Sequence, residues 1–336
     1  MPELRQDPLL GRWVFIAENR ARRPGAFDRD SQVHRTTTSC VFCEGQEHET
    51  PGEVQAIRGA DLASDSPGWR VRVIPNKYPA VDTLGPPPAA GNGHAGSLFY
   101  PAQSSWGVHE VIIESPAHVV MTGELSESHL AEVVQVYHQR LLAHRQDPRI
   151  ASCLIFKNVG TAAGASLEHL HSQLLGFPQV LPILASELAS SARWHVQHGG
   201  CYFCHLVESE LADGRRLVAS NDDFVAFCPF SACLPYETWL VPRRHASHFE
   251  DADAAQVDSI ARSLRNVLLK IEGTLDRTAY NYVIHSAPFD MPALAHYHWH
   301  IEIIPRLTKG AGFEWGSGCF INPVPPEQAA EVLRAN

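Results

Sequence analysis

Short runs of apolar residues alternate with polar segments along most of the chain, and their length and spacing predict its secondary structure. Runs rich in β-branched and aromatic residues predict strands, whereas apolar residues three or four positions apart predict helices. The predicted strands cover residues 12–17, 69–74, 110–114, 152–157, 169–175, 216–220, 224–228, 238–241, 280–285 and 297–305, and the predicted helices cover 126–144, 180–197, 253–274 and 326–334. Because strands and helices do not alternate regularly, we expect an α+β fold rather than a repeated βαβ arrangement.

The length and composition favour a globular protein. The 336 residues suffice for one large domain or two smaller ones, and 44% hydrophobic residues allow a sizeable core. A formal net charge of −10 argues against a protein that coats nucleic acid, whose phosphates attract cationic surfaces. No apolar run is long enough to span a bilayer, and Glu3, Arg5 and Asp7 interrupt the start of the chain. We therefore expect a soluble, cytoplasmic protein without a membrane partner.

Histidine and cysteine are unusually frequent, with 19 and 8 residues. Four of the cysteines form two Cys-x-x-Cys pairs, which in a reducing compartment are typical of metal sites or redox centres. The other four, Cys153, Cys228, Cys233 and Cys319, lack this spacing, and we expect them to be small buried apolar residues.

The cysteine and histidine positions repeat between the two halves of the chain. Each half carries a Cys-x-x-Cys pair, then a histidine, then a His-x-His: Cys40, Cys43, His118, His169 and His171 in the first, and Cys201, Cys204, His245, His298 and His300 in the second. The single histidine precedes the His-x-His by 51 residues in one half and by 53 in the other. A glutamate stands eight residues before that histidine in both halves, which favours His245 over His248. The repeat predicts two domains, residues 1–178 and 179–336.

Two thiolates and two imidazoles are the ligands of a closed, tetrahedral zinc site. We therefore expect two structural zinc ions per chain, one held by Cys40, Cys43, His118 and His169 and the other by Cys201, Cys204, His245 and His298. A redox Cys-x-x-Cys or unrelated buried cysteines are the alternatives, and His248 and His296 compete as ligands in the second half. The ligand types favour zinc over magnesium or calcium and leave iron open.

His171 is the candidate nucleophile. Residues two apart on a strand share a face, so His171 lies beside His169, which the metal would hold rigid. A turn rich in glycine and alanine, residues 158–166, precedes it and offers backbone N–H groups to an anion. Gln173, two positions further along, could donate a hydrogen bond to a phosphoryl oxygen. An imidazole held in this way can attack phosphorus and form a covalent intermediate. The alternative is an ordinary surface or core histidine.

The segment Asn158–Gln173 resembles the active-site segment of the galactose-1-phosphate uridylyltransferase family, which belongs to the histidine triad superfamily. Further matches span the chain: Asp7–Val14, Arg20 and Arg23, Val71–Pro79, and Ser115–His118. The resemblance implies a duplicated histidine-triad-like fold, with two α+β halves joined in a mainly antiparallel sheet. It also implies a homodimer whose active sites are completed by the partner's C-terminal segment.

The resemblance implies a ping-pong transfer of a nucleoside monophosphate from a nucleotide sugar to a hexose 1-phosphate. His171 would carry the nucleotide, and Gln173 and Ser166 would contact the transferred phosphoryl group. The remaining candidates are Asn76, Asn158 and Gly164, which would line the nucleotide pocket, and Arg20 and Arg23, which would face phosphate. Arginine forks and fixed donors both suit a phosphoryl group.

The chain departs from the best-known members of the family in two places. Those enzymes carry an iron site of one glutamate and three histidines, to which Glu187, His285, His298 and His300 would correspond. Because a second Cys-x-x-Cys is present, we interpret Glu187 and His285 as ordinary residues. We interpret His300 as a relic of duplication or a support for a metal ligand. The tail 316–327 lacks a sugar-phosphate-binding glutamine and, with the two cysteine pairs, resembles plant-type ADP-glucose phosphorylases.

The leading expectation is a UDP-glucose–hexose-1-phosphate uridylyltransferase of galactose metabolism. The alternative is an ADP-glucose phosphorylase type of enzyme that passes AMP to phosphate or a sugar phosphate, so base and acceptor stay open. A non-catalytic nucleotide-binding or zinc scaffold, and a hydrolase of the histidine triad type, are the remaining alternatives. Gln173, which replaces a third histidine on its strand, speaks against the hydrolase.

Overall fold

The computed structural model describes residues 2–22, 40–85 and 104–336, together with Phe27, Val33 and Phe99. The strands are β1 (Glu3–Gln6), β2 (Trp13–Ile16), β3 (Gln55–Arg58), β4 (Trp69–Pro75), β5 (Val108–Ile113), β6 (Ser152–Val159), β7 (His171–Phe177), β8 (Leu217–Ser220), β9 (Phe224–Phe227), β10 (Thr238–Pro242), β11 (Tyr280–His285), β12 (His300–Pro305) and β13 (Phe320–Asn322). The helices are α1 (Glu127–Arg145), α2 (Pro182–His198), α3 (Tyr202–Asp213), α4 (Ala254–Thr274), α5 (Gly312–Ser317) and α6 (Pro326–Arg334).

Ten strands form one antiparallel sheet whose two halves have the same strand order. The order is β3-β4-β5-β7-β6 in the first half and β8-β9-β10-β12-β11 in the second, and the halves meet where β6 pairs with β11. In each half one long helix, α1 or α4, connects the third strand to the fourth. A separate three-stranded sheet places β2 between β1 and β13. The expectation of an α+β fold with a large antiparallel sheet is confirmed.

The structure contains all the strands and helices predicted from the apolar pattern, with shifted ends. β7 begins at His171 and β12 at His300, so His169 and His298 lie just before their strands. The prediction missed β1, β3, β13, α3 and α5. Cys201 is the N-cap residue of α3 and Cys204 lies in its first turn, so the second cysteine pair begins a helix. The boundary predicted at 178/179 falls between β7 and α2 and stays a prediction.

The two faces of the ten-stranded sheet have different roles. Helices α1 and α4 pack against each other and against one face, where they bury the main hydrophobic core. On the other face, α2 and α3 cover only the second half, around Phe203, Phe227, Trp239 and Tyr297. His171 and Gln173 lie on that second face because they alternate with Ser172, whose side chain points to the helices. Among the described residues, no helix is long and apolar enough to cross a lipid bilayer.

A buried polar network fixes β7 from the helix-covered face. Lys157 and Glu114 form an ion pair, and both side chains are fully buried. The Tyr137 hydroxyl donates to Glu114 at 2.8 Å and lies 2.7 Å from the Tyr282 hydroxyl, and Ser172 also donates to Glu114. Burial opposes ionisation of Glu114, but the charge of Lys157 and these donors hold the pKa of this carboxyl below its usual value. The network ties β5, β6, β7, β11 and α1 together.

Replacing Lys157 by methionine should destabilise the protein by about 3–5 kcal/mol, because Glu114 would be left as an unpaired buried charge. Denaturant unfolding measures the loss. The double variant Lys157→Met/Glu114→Gln should lose less, since it removes both charges. The exposed pair of Arg70 with Glu132 provides the control, and Arg70→Met should cost less than about 1 kcal/mol. Equal losses for Lys157→Met and Arg70→Met would contradict this account of the network.

Candidate active site and metal centres

The first Cys-x-x-Cys pair lies together with His118 and His169, as the repeat predicted. The four ligand atoms lie within 4.8 Å of one another. His169 Nδ1 is 3.6 Å from the sulfur atoms of both Cys40 and Cys43, and His118 Nδ1 is 3.6 Å from Cys43. A tetrahedral zinc ion with bonds of about 2.1–2.3 Å sets its ligand atoms roughly 3.6 Å apart. The four side chains therefore fit the geometry of a tetrahedral zinc ion.

A backbone contact orients His169 within this cluster. The His169 Nε2–H group donates to the Ser115 carbonyl at 2.7 Å, which leaves the Nδ1 lone pair facing the two sulfurs. Burial is the main cause that lowers the pKa of His169 to about 4, so the ring is neutral, as a metal ligand must be. His118 Nε2 lies 3.7 Å from the carboxylate of Glu168.

The second cluster repeats this geometry around Cys201, Cys204, His245 and His298, whose ligand atoms also lie within 4.8 Å of one another. The Cys204 sulfur is 3.4 Å from His245 Nδ1 and 3.7 Å from His298 Nδ1. The His245 Nε2–H group donates to the Leu294 carbonyl at 2.9 Å. His248 is bound instead to Ser247 and to the Pro288 carbonyl, at 2.8 and 3.1 Å. The structure thus brings His245, rather than His248, to the cysteines.

His171 is held in the tautomer that suits a nucleophile. Its Nδ1 lies 2.8 Å from the His169 carbonyl oxygen, which can only accept, so Nδ1 carries the proton and Nε2 the lone pair. Burial is the main cause that lowers the pKa of the ring, which favours the neutral form. His171 is 6% exposed as a residue, and its ring makes a T-shaped contact with Phe42, with centroids 5.3 Å apart. The metal cluster thus sits two residues before a fixed imidazole.

Gln173 and Asn158 carry amide side chains on the same face of the sheet as this imidazole. Gln173 Oε1 is 2.8 Å from His109 Nε2 and 3.5 Å from Asn76 Nδ2. Asn158 Oδ1 accepts a hydrogen bond from Asn281 Nδ2 at 2.7 Å, across the pairing of β6 with β11. The structure thus brings Gln173 together with Asn76 and His109, and Asn158 together with Asn281, while the roles predicted for Gln173, Asn76 and Asn158 stay predictions.

The turn before β7 differs from the anion cradle that the sequence suggested. The N–H groups of Ala163, Gly164 and Ala165 donate to carbonyls of Gly160 and Thr161, at 2.9–3.2 Å, so they are used inside the turn. Gly164 has φ +87°, a left-handed conformation that glycine adopts without a steric cost. Its role is therefore to shape the turn. Ser166 lies exposed just after it.

Of the two arginines expected to face phosphate, the structure describes only Arg20. Arg20 is exposed in a single helical turn, Glu18–Arg22, and no hydrogen bond between described residues joins it to the histidine or amide side chains of the site. Arg23 lies outside the described residues. Their contact with phosphate stays a prediction.

In the second half, the histidine equivalent to His171 is inaccessible to solvent. His300 is fully buried, and its Nδ1 donates to the His298 carbonyl at 3.3 Å, as His171 does to His169. Phe203 and Trp239 cover the ring, with centroids 4.7 and 5.3 Å away. No nucleotide can reach this imidazole in the described arrangement. The same strand order thus yields one accessible and one inaccessible histidine.

Glu187 and His285, interpreted from the sequence as ordinary residues, lie side by side in the interior of the second half. Together with His300 and Glu302 they form a third cluster, with candidate ligand atoms within 4.8 Å of one another. His285 lies between two carboxylates, 3.2 Å from Glu187 and 3.6 Å from Glu302, and its ring stacks on His300 at 4.6 Å. Burial opposes the charged ring, but the two carboxylates raise the pKa of His285 well above its usual value. The charged His285 ring is therefore held between two buried carboxylates.

Comparisons with known proteins match the chain along its length. The family model for the N-terminal domain of galactose-1-phosphate uridyl transferase matches residues 1–180. The model for the C-terminal domain of the same family matches residues 187–315. The chain belongs to the galactose-1-phosphate uridylyltransferase family. As a member it is a nucleotidyltransferase, and the resemblance found in the sequence is confirmed.

Two curated members of the family illustrate its range. An ADP-glucose phosphorylase from Arabidopsis thaliana is 34% identical over 99% of this chain and 92% of its own length. A galactose-1-phosphate uridylyltransferase from Thermotoga maritima is 28% identical over 99% of this chain and 98% of its own length. The crystal structure of an ADP-glucose phosphorylase from Arabidopsis thaliana with bound ADP-glucose covers 100% of this chain and 99% of its own, with 32% identity and a TM-score of 0.84.

The pH dependence of stability tests the third cluster. Burial alone would raise the pKa of Glu187, but His285 lowers it to about 2, so the pair stabilises the fold above the ordinary glutamate pKa. This contribution disappears as the pH falls from about 4.5 to 2. At the alkaline end it is lost as the pH rises through the raised pKa of His285.

Glu187→Gln should therefore destabilise the protein by about 3 kcal/mol near pH 6. Denaturant unfolding should show that the free energies of unfolding of the variant and the wild type converge progressively as the pH falls from 4.5 to 2.5. A difference that stays constant over this range would show that Glu187 is not held ionised by His285.

Proposed function

We propose that the chain transfers a nucleoside monophosphate from a nucleotide sugar through a covalent intermediate on His171 Nε2. The observation that carries the proposal is the hydrogen bond from His171 Nδ1 to the His169 carbonyl, 2.8 Å long. It fixes the proton on the nitrogen that faces the backbone and the lone pair on the other. Splitting one transfer into two attacks at phosphorus lets one site serve a donor and an acceptor in turn.

The two steps balance without an added acid or base. In the first, Nε2 attacks the α-phosphorus, an N–P bond forms, and the bond from phosphorus to the bridging oxygen breaks. The sugar 1-phosphate leaves with that electron pair. In the second, an oxygen of the acceptor phosphate attacks the same phosphorus and the N–P bond breaks. His171 returns to its neutral form and keeps the Nδ1 proton throughout.

The surrounding side chains supply fixed donors for the phosphoryl group. Gln173 and Asn158 have their amide oxygens bound by protein donors, and within the described parts of the chain no acceptor binds their NH2 groups, which can therefore face the ligand. Ser166 and Asn76 complete this set, and Arg20 and Arg23 would reach phosphate oxygens. Donors held in place before the reaction stabilise the charge that develops during transfer.

Both Cys2His2 clusters hold structural zinc ions in this proposal. Each has four protein ligands, which leaves no coordination position for a substrate. The ion in the first cluster would anchor His169 and so the strand that carries His171. The third cluster takes no zinc, because His285 already pairs with two carboxylates.

The proposed donor is ADP-glucose, with AMP as the transferred group and phosphate or a sugar phosphate as acceptor. Three observations favour it over the uridylyl reaction expected from the sequence. The relative named ADP-glucose phosphorylase is 34% identical and the Thermotoga maritima uridylyltransferase 28%. A structure with bound ADP-glucose superposes with a TM-score of 0.84. The second cysteine cluster also resembles the plant-type enzymes.

Transfer of UMP from UDP-glucose to galactose 1-phosphate is the second candidate, since a uridylyltransferase aligns over 98% of its own length. In either case we propose a cytoplasmic homodimer and the two domains 1–178 and 179–336.

Intact-protein mass spectrometry after brief incubation with ADP-glucose or UDP-glucose tests the proposal. We expect an AMP-sized adduct that disappears when phosphate is added. A UMP-sized adduct removed by galactose 1-phosphate would assign the uridylyl reaction instead. His171→Ala should form no adduct and lose turnover while its metal content stays unchanged. The matched control His300→Ala should still form the adduct, because that ring is closed off from solvent. An adduct on His171→Ala would refute the assigned nucleophile.

Elemental analysis should return two zinc ions per chain. Cys40→Ser should lose one of them and lower the thermal unfolding temperature, because a closed zinc site contributes to folding. Cys319→Ser is the control, since Cys319 lies in neither cluster and should change neither quantity. One zinc ion in the wild type, or a third metal ion, would contradict the proposed metal content.

A further inference from the structure

We propose that His109 and Asn281 are positioning residues that set which end of the Gln173 and Asn158 amides faces the phosphoryl group. Neither belongs to the sequence motif, and neither is a metal ligand. The inference rests on the proposed function, because it assigns the reason that these two amides act as donors. Each orientation can be traced back to a backbone group, whose polarity is fixed.

The first orientation starts at Ala80. Its backbone N–H group donates to His109 Nδ1 at 3.1 Å, so this nitrogen carries the lone pair. The neutral ring must then carry its proton on Nε2, which lies 2.8 Å from Gln173 Oε1. Burial is the main cause that lowers the pKa of His109, so the ring stays neutral. Gln173 therefore presents its oxygen to His109 and its NH2 group to the opposite side.

Asn76 supports the same arrangement. Its Oδ1 accepts the backbone N–H of Tyr78 at 2.8 Å, so Nδ2 is the end that points into the site. Nδ2 lies 3.5 Å from Gln173 Oε1. It is itself a donor and makes no hydrogen bond to the protonated His109 Nε2, which lies 3.0 Å away. A flipped Gln173 amide would place its own NH2 group against the His109 donor. That flip would replace the 2.8 Å hydrogen bond by a contact between donors and leave polar groups unsatisfied, which costs about 1–3 kcal/mol.

The second orientation starts at Ala163, in the turn before β7. Its carbonyl accepts a hydrogen bond from Asn281 Nδ2 at 2.8 Å, which fixes the direction of the Asn281 amide. The other hydrogen of the same NH2 group goes to Asn158 Oδ1 at 2.7 Å. Asn158 therefore also turns its NH2 group away from its protein partner. Among the described residues, neither the Asn158 Nδ2 nor the Gln173 Nε2 group has a protein acceptor.

The two positioning residues come from opposite ends of the site. His109 lies on β5, two strands from Asn158, and its backbone position is opposite Leu175 of β7. Asn281 lies on β11 and is paired directly with Asn158 across the seam between the halves. The second half of the chain, whose own histidine is buried, thus contributes to the active site of the first half by orienting one donor.

Matched variants separate orientation from packing. His109→Gln keeps a side-chain donor that can reach Gln173, whereas His109→Met has a similar size and no donor. We expect single-turnover adduct formation close to wild type for His109→Gln and about 10- to 100-fold slower for His109→Met, with KM for the nucleotide sugar little changed. Asn281→Leu should show the same loss in kcat. His138→Met, on α1 and behind the sheet, is the control and should not change the rate.

A substrate-free measurement keeps the inference separate from the proposed function. Long-range ¹H–¹⁵N correlation spectra of the wild-type protein should show His109 as the neutral tautomer protonated on Nε2. A ring protonated on Nδ1, or equal losses for His109→Gln and His109→Met, would overturn the inference. If the wild type forms no adduct with either nucleotide sugar, the proposed function fails, and the tautomer of His109 still decides the orientation of Gln173.

Discussion

The pairing of β6 with β11 is the constraint on which the rest of the structure depends. Five residue pairs, from Tyr280 with Val159 to Ile284 with Ile155, join two five-stranded halves into one sheet. Because the halves meet at equivalent strands, their long helices pack against each other on one face. The same pairing brings Tyr282 to the network around Lys157 and Glu114, and Asn281 to Asn158. Residues of both halves therefore contribute to the main hydrophobic core and to the hydrogen bonds of the site.

Duplication gave the halves equal topology but different surroundings for the same histidine. In the second half, α2 and α3 cover the face that carries His300, and aromatic rings and carboxylates fill the space around it. In the first half the segment that carries Cys40, Phe42 and Cys43 packs on the corresponding face, and His171 keeps a small exposed surface. Burial of His300 is the main cause that lowers its pKa to about 4. The two histidines have the same tautomer and the same place on their strands, and they differ in how far the side chain is exposed to solvent.

The sequence was sufficient to predict features that recur with fixed spacing. Strand periodicity, the two Cys2His2 sets and the position of His171 all follow from local patterns, and the structure brings each metal set together. His109 and Asn281 could not be found in this way, because their roles depend on contacts between strands that are far apart in sequence. The third cluster, which contains Glu187 and His285, was not predicted for the same reason. Their partner Glu302 has no motif, and only the fold shows that it lies beside His285.

Strand β7 is held from both of its faces, which fixes the position of His171, the nucleophile that we propose. On one face Ser172 is bound to the buried Glu114 network, and just before the strand His169 points at the two sulfurs of the first cluster. His171 lies between these anchors and takes its tautomer from the His169 carbonyl. A small displacement of the strand would move the attacking nitrogen, and a reaction at phosphorus is sensitive to displacements of about 1 Å. The polar network behind the sheet is therefore as much a part of the active site as the amides in front of it.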